Sequence, residues 1–217
     1  MMSLDAVLKI GGSLGRGLGL EALCREISRL GQCHRLLIVP GGGVFADQVR
    51  EMYRRCSLNE TAAHWMALLA MDRYGCFLNQ LIAGSSITRV PHPADEQMEN
   101  RRLTVLLPYS VMFQTDALPH SWDVTSDSIA AWVARRVNCP RLVLLKDVDG
   151  LFAEGETPKL IPDLTVQQLA GHAGGVDAYL SHILAASNLE TWVINGQKPE
   201  RLSELLSTSR TIGTRIR

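Results

Sequence analysis

Two glycine-rich turns, each directly after an apolar run, carry the residues best suited to chemistry. The first spans residues 9–13 and begins with Lys9, and the second spans residues 40–43. Glycine lets backbone N–H groups approach an anion closely, and a helix N-terminus adds about half a positive charge. Each turn is followed by a helical pattern, so both are expected at the same edge of a parallel sheet. Together they predict one phosphate-binding site.

The two turns do not fit the commonest nucleotide-binding motifs. A Walker loop needs a glycine followed by lysine, and no glycine of this chain is followed by lysine. A dinucleotide fingerprint needs the spacing Gly-x-Gly-x-x-Gly, which the glycines between residues 11 and 19 do not supply. A different phosphate-binding fold is therefore indicated.

Composition and charge narrow the class of protein. The chain has 217 residues, 46% of them hydrophobic, with 22 basic residues balancing 22 acidic ones. This balance gives no overall field that would attract nucleic acid or a membrane surface. The five cysteines are scattered without a Cys-x-x-Cys pair, so neither disulfides nor a zinc site are expected. No targeting segment or spanning apolar run is visible, and we expect a cytoplasmic protein without a protein-held metal site.

Apolar runs alternate with helical patterns along the chain. This alternation predicts an α/β fold, a three-layer sandwich with a largely parallel central sheet. Helices are predicted over residues 20–30, 61–82 (after a capping box at 57–60) and from about 177 to 186, with a final strand near 211–216. Residues 84–102 are polar and are expected to form a mobile excursion or lid. The pattern fits one domain over residues 1–217.

A second group of charged residues follows a later apolar run. The run at 141–145 leads directly into Lys146, Asp147 and Asp149, and an amphipathic helix with capping residues begins near residue 123. Ligands of α/β proteins bind at the carboxyl ends of strands. This stretch is therefore a candidate ligand loop.

Five landmarks, at residues 9–13, 39–43, 125–130, 145–152 and 193–196 with 212–214, together resemble the amino acid kinase superfamily. The resemblance covers nearly the whole chain, and it implies an acceptor-binding half over about residues 1–120 and a nucleotide-binding half over about residues 121–217. Within the superfamily, the short length and residues 64–75 look most like the aminomethylfuran methyl phosphate kinases of methanofuran biosynthesis. This resemblance implies transfer of a phosphoryl group from ATP, with Mg²⁺, to a small phosphomonoester, and it implies a homo-oligomer.

The resemblance also assigns roles to individual residues. The implied catalytic residues are Lys9, Asp127 and Lys146. The implied nucleotide-binding residues are Lys9, Gly11, Gly12, Ser13, Lys146, Asp147, Asp149, Gly150 and Phe152. The implied acceptor-binding residues are Gly41, Gly42, Gly43, Asp47, His64, Thr125 and Ser126. One departure is that Ala178 stands where several members place a second catalytic lysine, and Lys146 is the hypothesised replacement.

Within the acceptor region, the sequence leaves some roles open. Asp47 lies one helical turn beyond Gly43 and could bind a substrate ammonium, or it could be a solvated helix carboxylate. His64 or Arg50 could contact the acceptor phosphate, although a structural histidine is equally consistent with the pattern. As whole-protein alternatives we retain a uridylate-type nucleoside monophosphate kinase and a non-catalytic nucleotide- or oxyanion-storage subunit.

Overall fold

Strands and helices alternate through a computed structural model that describes residues 3–17, 19–90, 102–153, 155, 158–172 and 174–217. The strands are β1 (Ala6–Ile10), β2 (Leu36–Pro40), β3 (Ser86–Thr88), β4 (Leu103–Leu106), β5 (Arg141–Lys146), β6 (Phe152–Ala153), β7 (Lys159–Leu160), β8 (Asp163–Leu164), β9 (Glu190–Asn195) and β10 (Thr214–Ile216). The helices are α1 (Leu20–Leu30), α2 (Gly43–Cys56), α3 (Glu60–Leu81), α4 (Tyr109–Thr115), α5 (Ser126–Arg136), α6 (Val166–Ala170), α7 (Leu180–Ala185) and α8 (Glu200–Thr208), with a 3-10 turn at Gly12–Arg16.

Eight of these strands form one sheet in the order β3-β4-β2-β1-β5-β9-β10-β8, and β6 pairs with β7 in a separate hairpin. The central strand β1 runs parallel to both β2 and β5, with Lys9 opposite Val39 on one side and Leu144 on the other. The carboxyl ends of β1, β2 and β5 therefore meet at one edge. Within the described part of the sheet, the pairing of β9 with β10 is the only antiparallel one, so β10 and its parallel neighbour β8 run opposite to the other six strands.

Helices cover both faces of the sheet. On one face, α1 buries apolar residues at helical spacing, including Leu23 and Ile27, and α8 adds Leu202. On the other face, α5 and α7 pack against the sheet through residues such as Ala130 and Leu180. The predicted three-layer α/β architecture is confirmed, while the division into an acceptor half and a nucleotide half stays a prediction.

Several predicted boundaries were wrong. Helix α3 begins at Glu60, because the Asn59 side chain caps it by accepting from the Ala62 N–H at 2.8 Å. Ser57 instead ends α2 in the left-handed conformation (φ 48°). The short strand β3 lies inside the stretch predicted as an excursion, and residues 91–101 of that stretch fall outside the described residues. Helix α7 and strand β10 both begin three residues later than predicted.

Candidate active site

The two glycine turns touch each other at the edge of the sheet. A Cβ added to Gly12 would lie 2.4 Å from the backbone nitrogen of Gly43, so a side chain there would force the turns apart. Gly43 itself has φ +55°, and its Cβ would lie 3.1 Å from the ring of buried Tyr74. Because Gly12 and Gly43 have no side chains, the two turns can touch and form one surface.

A buried carboxylate joins two lysines beside these turns. Lys9 Nζ, from β1, lies 2.7 Å from Asp127 Oδ1. Lys146 Nζ, from the end of β5, donates to Asp127 Oδ2 at 2.6 Å. Asp127 lies in the first turn of α5. The structure thus brings together the three residues that the sequence assigned to catalysis, although their catalytic roles remain predictions.

Burial and charge act in opposite directions on this cluster. Burial lowers the pKa of the Lys9 amine, and the nearby Asp127 carboxylate opposes that shift. Burial alone would raise the pKa of Asp127, but the charges of Lys9 and Lys146 outweigh it and hold that pKa at about 2. Asp127 is therefore ionised at neutral pH, with one lysine side chain at each of its two oxygens.

Asp177 holds the start of the helix that carries Asp127. Asp177 was not among the predicted site residues. Its Oδ2 accepts from the Thr125 N–H at 2.9 Å, the Thr125 hydroxyl at 2.8 Å and the Ser128 N–H at 2.9 Å. Its Oδ1 accepts from the Ser128 hydroxyl and, at 3.0 Å, from the Leu180 N–H. One carboxylate therefore fixes the starts of α5 and α7. The available signal was its place next to Ala178, where a family lysine was sought.

A cavity of about 290 Å³ opens beside the lysine cluster. Of the residues predicted to form the site, its walls include Lys9, Gly12, Ser13, Gly42, Gly43, Asp47, His64, Thr125, Ser126, Asp127 and Lys146. One side of the wall is apolar and includes Ala67, Met71 and Ile129. This size and mixed lining suit a small molecule with one apolar part and one charged part.

Gly11 and Gly41 do not line that cavity. The Gly11 N–H donates to the Leu145 carbonyl at 2.8 Å, and the Gly41 N–H donates to the Ile10 carbonyl at 2.8 Å. Both backbone amides therefore attach the turns to the edge of the sheet by hydrogen bonds. In this structure the two residues shape the site, and their N–H groups are not aimed at a ligand.

The loop after β5 lies beyond Lys146, outside the cavity wall. Asp149 Oδ1 accepts from Asn195 Nδ2 at 2.8 Å and from Arg201 Nη1 at 2.7 Å. The Leu151 N–H donates to the Thr214 hydroxyl at 2.8 Å, and the next residue, Phe152, is exposed. This loop is therefore held by hydrogen bonds and has an exposed aromatic ring. The contact of Asp147, Asp149, Gly150 and Phe152 with a nucleotide stays a prediction.

His64 lines the cavity as an uncharged group. Its ring stacks on His120, with ring centroids 4.5 Å apart. Burial, aided by the charge of His120, lowers the pKa of His64 to about 4. A neutral imidazole can donate a hydrogen bond to a phosphate, but at neutral pH His64 adds no positive charge to the site.

The mouth of the cavity contains Arg50, which the sequence left as a possible contact for the acceptor phosphate, and Arg16 and Trp122, which it did not indicate. Arg16, from the end of the 3-10 turn, is ion-paired with Asp47, and Arg50 contacts the same carboxylate at 3.2 Å. The Arg50 guanidinium also lies over the Trp122 ring, 5.1 Å from its centroid. The spacing of Arg50 three residues after Asp47 was a usable signal, whereas Arg16 and Trp122 are brought there only by the fold.

A model of the amino acid kinase family matches residues 6–195, which is most of the chain. The chain belongs to the amino acid kinase family. Among similar proteins, [5-(aminomethyl)furan-3-yl]methyl phosphate kinase of Methanocaldococcus jannaschii is 26% identical over 215 residues, covering 97% of this chain and 96% of that protein. Uridylate kinase of Methanococcoides burtonii is 25% identical over 233 residues, covering 97% of this chain and 96% of that protein.

Solved structures agree with this family assignment at the level of the fold. Uridylate kinase from Archaeoglobus fulgidus superposes with a TM-score of 0.78 and 20% identity, covering 99% of this chain and all of that one. UMP kinase from Ureaplasma parvum gives a TM-score of 0.77 at 16% identity, covering 100% and 99% of the two chains. These structures show that the chain has the predicted fold, and membership of the amino acid kinase family makes it a phosphotransferase.

Two further observations concern membrane spans and metal sites. Across the described ranges, no helix combines the length and apolar character that crossing a bilayer requires. In the same part of the chain, no three His, Cys, Asp or Glu side chains cluster as a metal site would need. The predicted cytoplasmic location stays a prediction.

Proposed function

We propose that this kinase transfers the γ-phosphoryl group of ATP to a phosphomonoester, [5-(aminomethyl)furan-3-yl]methyl phosphate, and forms the corresponding diphosphate. A phosphate oxygen of the acceptor forms the new P–O bond, and the bond between the γ-phosphorus and the bridging oxygen of ATP breaks to release ADP. The observation that carries the proposal is the Lys9–Asp127–Lys146 cluster beside two touching glycine turns.

The chemistry needs charge and position more than covalent help. In phosphoryl transfer, negative charge lies on the oxygens of the transferred group, and preorganised cations and amides stabilise it. Lys9 and Lys146 provide two ammonium groups whose positions Asp127 fixes, and Asp177 fixes Asp127 through α5. The cluster is therefore held in place before any ligand binds.

Lys146 replaces the second lysine that several family members have after a Gly-Gly-Met turn. Ala178 occupies that position here, and its methyl group carries no charge. Lys146 approaches the same aspartate from β5, at 2.6 Å from Oδ2. The site therefore keeps two lysines around one aspartate although the usual second lysine is missing.

A phosphate acceptor agrees with the absence of an obvious general base beside the cluster. A phosphomonoester has its second pKa near 6, so its attacking oxygen is already largely ionised at neutral pH. Asp127 is bound by two lysines, and burial lowers the pKa of His64 to about 4, which makes this imidazole a weak base. The apolar wall that includes Ala67 and Met71 suits a small flat ring.

Mg²⁺ is expected to arrive with ATP. It usually keeps several waters and binds one or two carboxylates together with substrate phosphates. Both oxygens of Asp127 contact lysines, so this carboxylate does not fit a free metal ligand. When bound to the phosphates, Mg²⁺ would neutralise part of their charge.

The test is ³¹P NMR of the purified protein with Mg-ATP and, in parallel, the furan methyl phosphate or UMP. We expect the phosphorus doublets of the furan methyl diphosphate, in addition to those of ADP, when the furan acceptor is present. We expect no furan methyl diphosphate with the Lys9→Ala variant prepared in the same way. The same variant controls for contaminating kinases. Turnover of UMP alone would replace the proposed acceptor, and no turnover with either would contradict the proposal.

Uridylate-type activity is the second candidate, because uridylate kinase of Methanococcoides burtonii is similar over nearly the full length. Asp47 argues against it, since a uridylate-type kinase is expected to have arginine at that position. No feature of the described site favours the storage alternative, which would not require a preorganised pair of lysines.

We also propose that the chain forms a homo-oligomer through an apolar face of α3 and α4. Leu69 and Phe77 on α3 and Phe113 on α4 are exposed apolar side chains. Trp65 links the two helices by packing edge-on against Phe113 at 5.0 Å. Exposed apolar groups of this kind mark interaction surfaces. Sedimentation at micromolar concentration is expected to show a dimer or larger species, and a monomer would count against this face as an interface.

A further inference from the structure

The mouth of the cavity holds one carboxylate between two guanidinium groups. Asp47 Oδ2 is ion-paired with Arg16, and Asp47 Oδ1 lies 3.2 Å from Arg50 Nη1. All three side chains line the cavity that also contains Lys9 and Lys146. A carboxylate thus occupies the space between two arginines in the same cavity as the lysine cluster.

The two arginines come from the two glycine turns. Arg16 ends the 3-10 turn that follows Gly12, and Arg50 lies on α2, which begins at Gly43. Because Gly12 and Gly43 touch, the contact between the turns brings together the backbone segments that carry the two arginines. The position of the arginine pair is therefore tied to the position of the phosphate-binding turns.

Arg50 is oriented by an aromatic ring. Its guanidinium lies 5.1 Å from the centroid of Trp122, and Trp122 is supported edge-on by Tyr53 at 5.7 Å. A guanidinium over an aromatic face keeps its N–H groups free at the edge of the group, available for an anion. Arg50 is therefore preset for recognition and does not depend on Asp47 alone for its direction.

Both ion pairs of Asp47 are easy to exchange. The side chains of Arg16, Asp47 and Arg50 are all substantially exposed, and ion pairs in such positions contribute little to stability. A phosphate dianion carries more charge than a carboxylate and offers more oxygens to the planar guanidinium donors. A phosphate that entered this space would compete well with Asp47.

We propose that Arg16 and Arg50 bind the phosphate of the acceptor, and that Asp47 is a placeholder that holds the two arginines until the acceptor displaces it. This inference rests on the proposed function, since it requires a phosphomonoester acceptor. In this proposal the exposed arginines bind the phosphate of the acceptor, and the buried lysines stabilise the γ-phosphoryl group during its transfer. It also replaces the reading of Asp47 as a ready ammonium site, because two cations already occupy that carboxylate.

The first test compares acceptor saturation kinetics for Arg16→Ala and Arg50→Ala with Arg54→Ala. Arg54 lies one turn further along α2 and does not line the cavity, so it is the matched control. Loss of a charge-assisted contact is expected to raise the acceptor KM about tenfold or more for each clamp variant. The ATP KM and kcat are expected to stay within about threefold, and Arg54→Ala is expected to match the wild type.

Both clamp variants with an unchanged acceptor KM would overturn the proposal, as would an equal rise for Arg54→Ala. The furan phosphate and UMP are tested in parallel, because both present a phosphomonoester. If UMP turns over and the furan phosphate does not, the proposed acceptor fails while the clamp is judged from the KM for UMP.

Calorimetry with inorganic phosphate tests the clamp without turnover. The wild-type protein is expected to bind at least about tenfold more tightly than the variant with both Arg16→Ala and Arg50→Ala. Equal affinity would overturn the clamp. Asp47→Asn is expected to bind phosphate as tightly as the wild type or more tightly, and weaker binding would refute the placeholder role.

Discussion

The same charge pattern, cation–carboxylate–cation, occurs twice in one cavity. At the base, Lys9, Asp127 and Lys146 have side chains that are 6%, 3% and 15% exposed. At the mouth, Arg16, Asp47 and Arg50 are 61%, 40% and 45% exposed. The two clusters share their connectivity and differ in burial. This difference separates a cluster that must stay intact from one that can open for a ligand.

Burial changes what the central carboxylate does. Charges interact more strongly away from water, but removing one partner of a buried set leaves the others unpaired at high cost. Exposed partners can turn to water instead, so a broken pair costs little. Asp127 is therefore expected to be a permanent part of the site, and Asp47 a replaceable one.

The largest contrast is expected between Asp127→Asn and Asp47→Asn. The first change leaves two buried lysines without a counter-charge, and we expect it to cost about 3–5 kcal/mol of unfolding free energy. The second is expected to change stability by no more than about 1 kcal/mol. Urea unfolding of both variants measures the difference, and equal losses would contradict the comparison.

Gly12→Ala tests whether the contact between the turns couples the two clusters. The new Cβ would lie 2.4 Å from the Gly43 nitrogen, so the turns must separate, at an expected cost of about 1–3 kcal/mol. Activity is expected to fall as well, because Lys9 and Arg16 flank this turn. Gly171→Ala is the matched control, since its Cβ would lie no closer than 3.8 Å to a neighbour. A Gly12→Ala protein as stable and active as the control would refute the coupling.

His64 lies in the same cavity as the two clusters, and it is uncharged at neutral pH. Its folded pKa of about 4 lies below the ordinary value near 6.5, so the unfolded chain binds the extra proton first as pH falls. Stability is therefore expected to drop between about pH 6.5 and 4, by roughly 1–3 kcal/mol. The difference in unfolding free energy between wild type and His64→Phe, measured across this range, should show that slope. Parallel curves would mean that His64 does not cause it.

Periodicity and turn chemistry were sufficient for most of the fold. The apolar runs before Lys9 and Lys146 are buried central strands, as predicted, and helix α1 matches its predicted bounds. Short elements were missed, because strands such as β3 offer three residues and no usable alternation. Two possible caps within three residues, Ser57 and Asn59, could not be ranked without knowing where α2 ends.

The family resemblance assigned the lysine cluster, and its three residues lie at strand ends and at a helix start. Lys9, Asp127 and Lys146 occupy such positions, and topology alone brings them to one edge. Asp177 and Arg16 act through contacts with residues 49 and 31 positions away in sequence. Such contacts depend on how loops pack after the sheet forms, and no local sequence pattern indicates them, apart from the place of Asp177 next to Ala178.

The central claim is that the buried cluster performs the transfer and the exposed cluster binds the acceptor. Saturation kinetics of Lys146→Ala and Arg50→Ala in one assay test it most directly. We expect Lys146→Ala to lower kcat about 10²-fold with little change in acceptor KM. We expect Arg50→Ala to raise acceptor KM about tenfold with kcat nearly unchanged. A Lys146→Ala enzyme with kcat within about threefold of wild type, while Lys9→Ala loses about 10²-fold, would contradict the assignment.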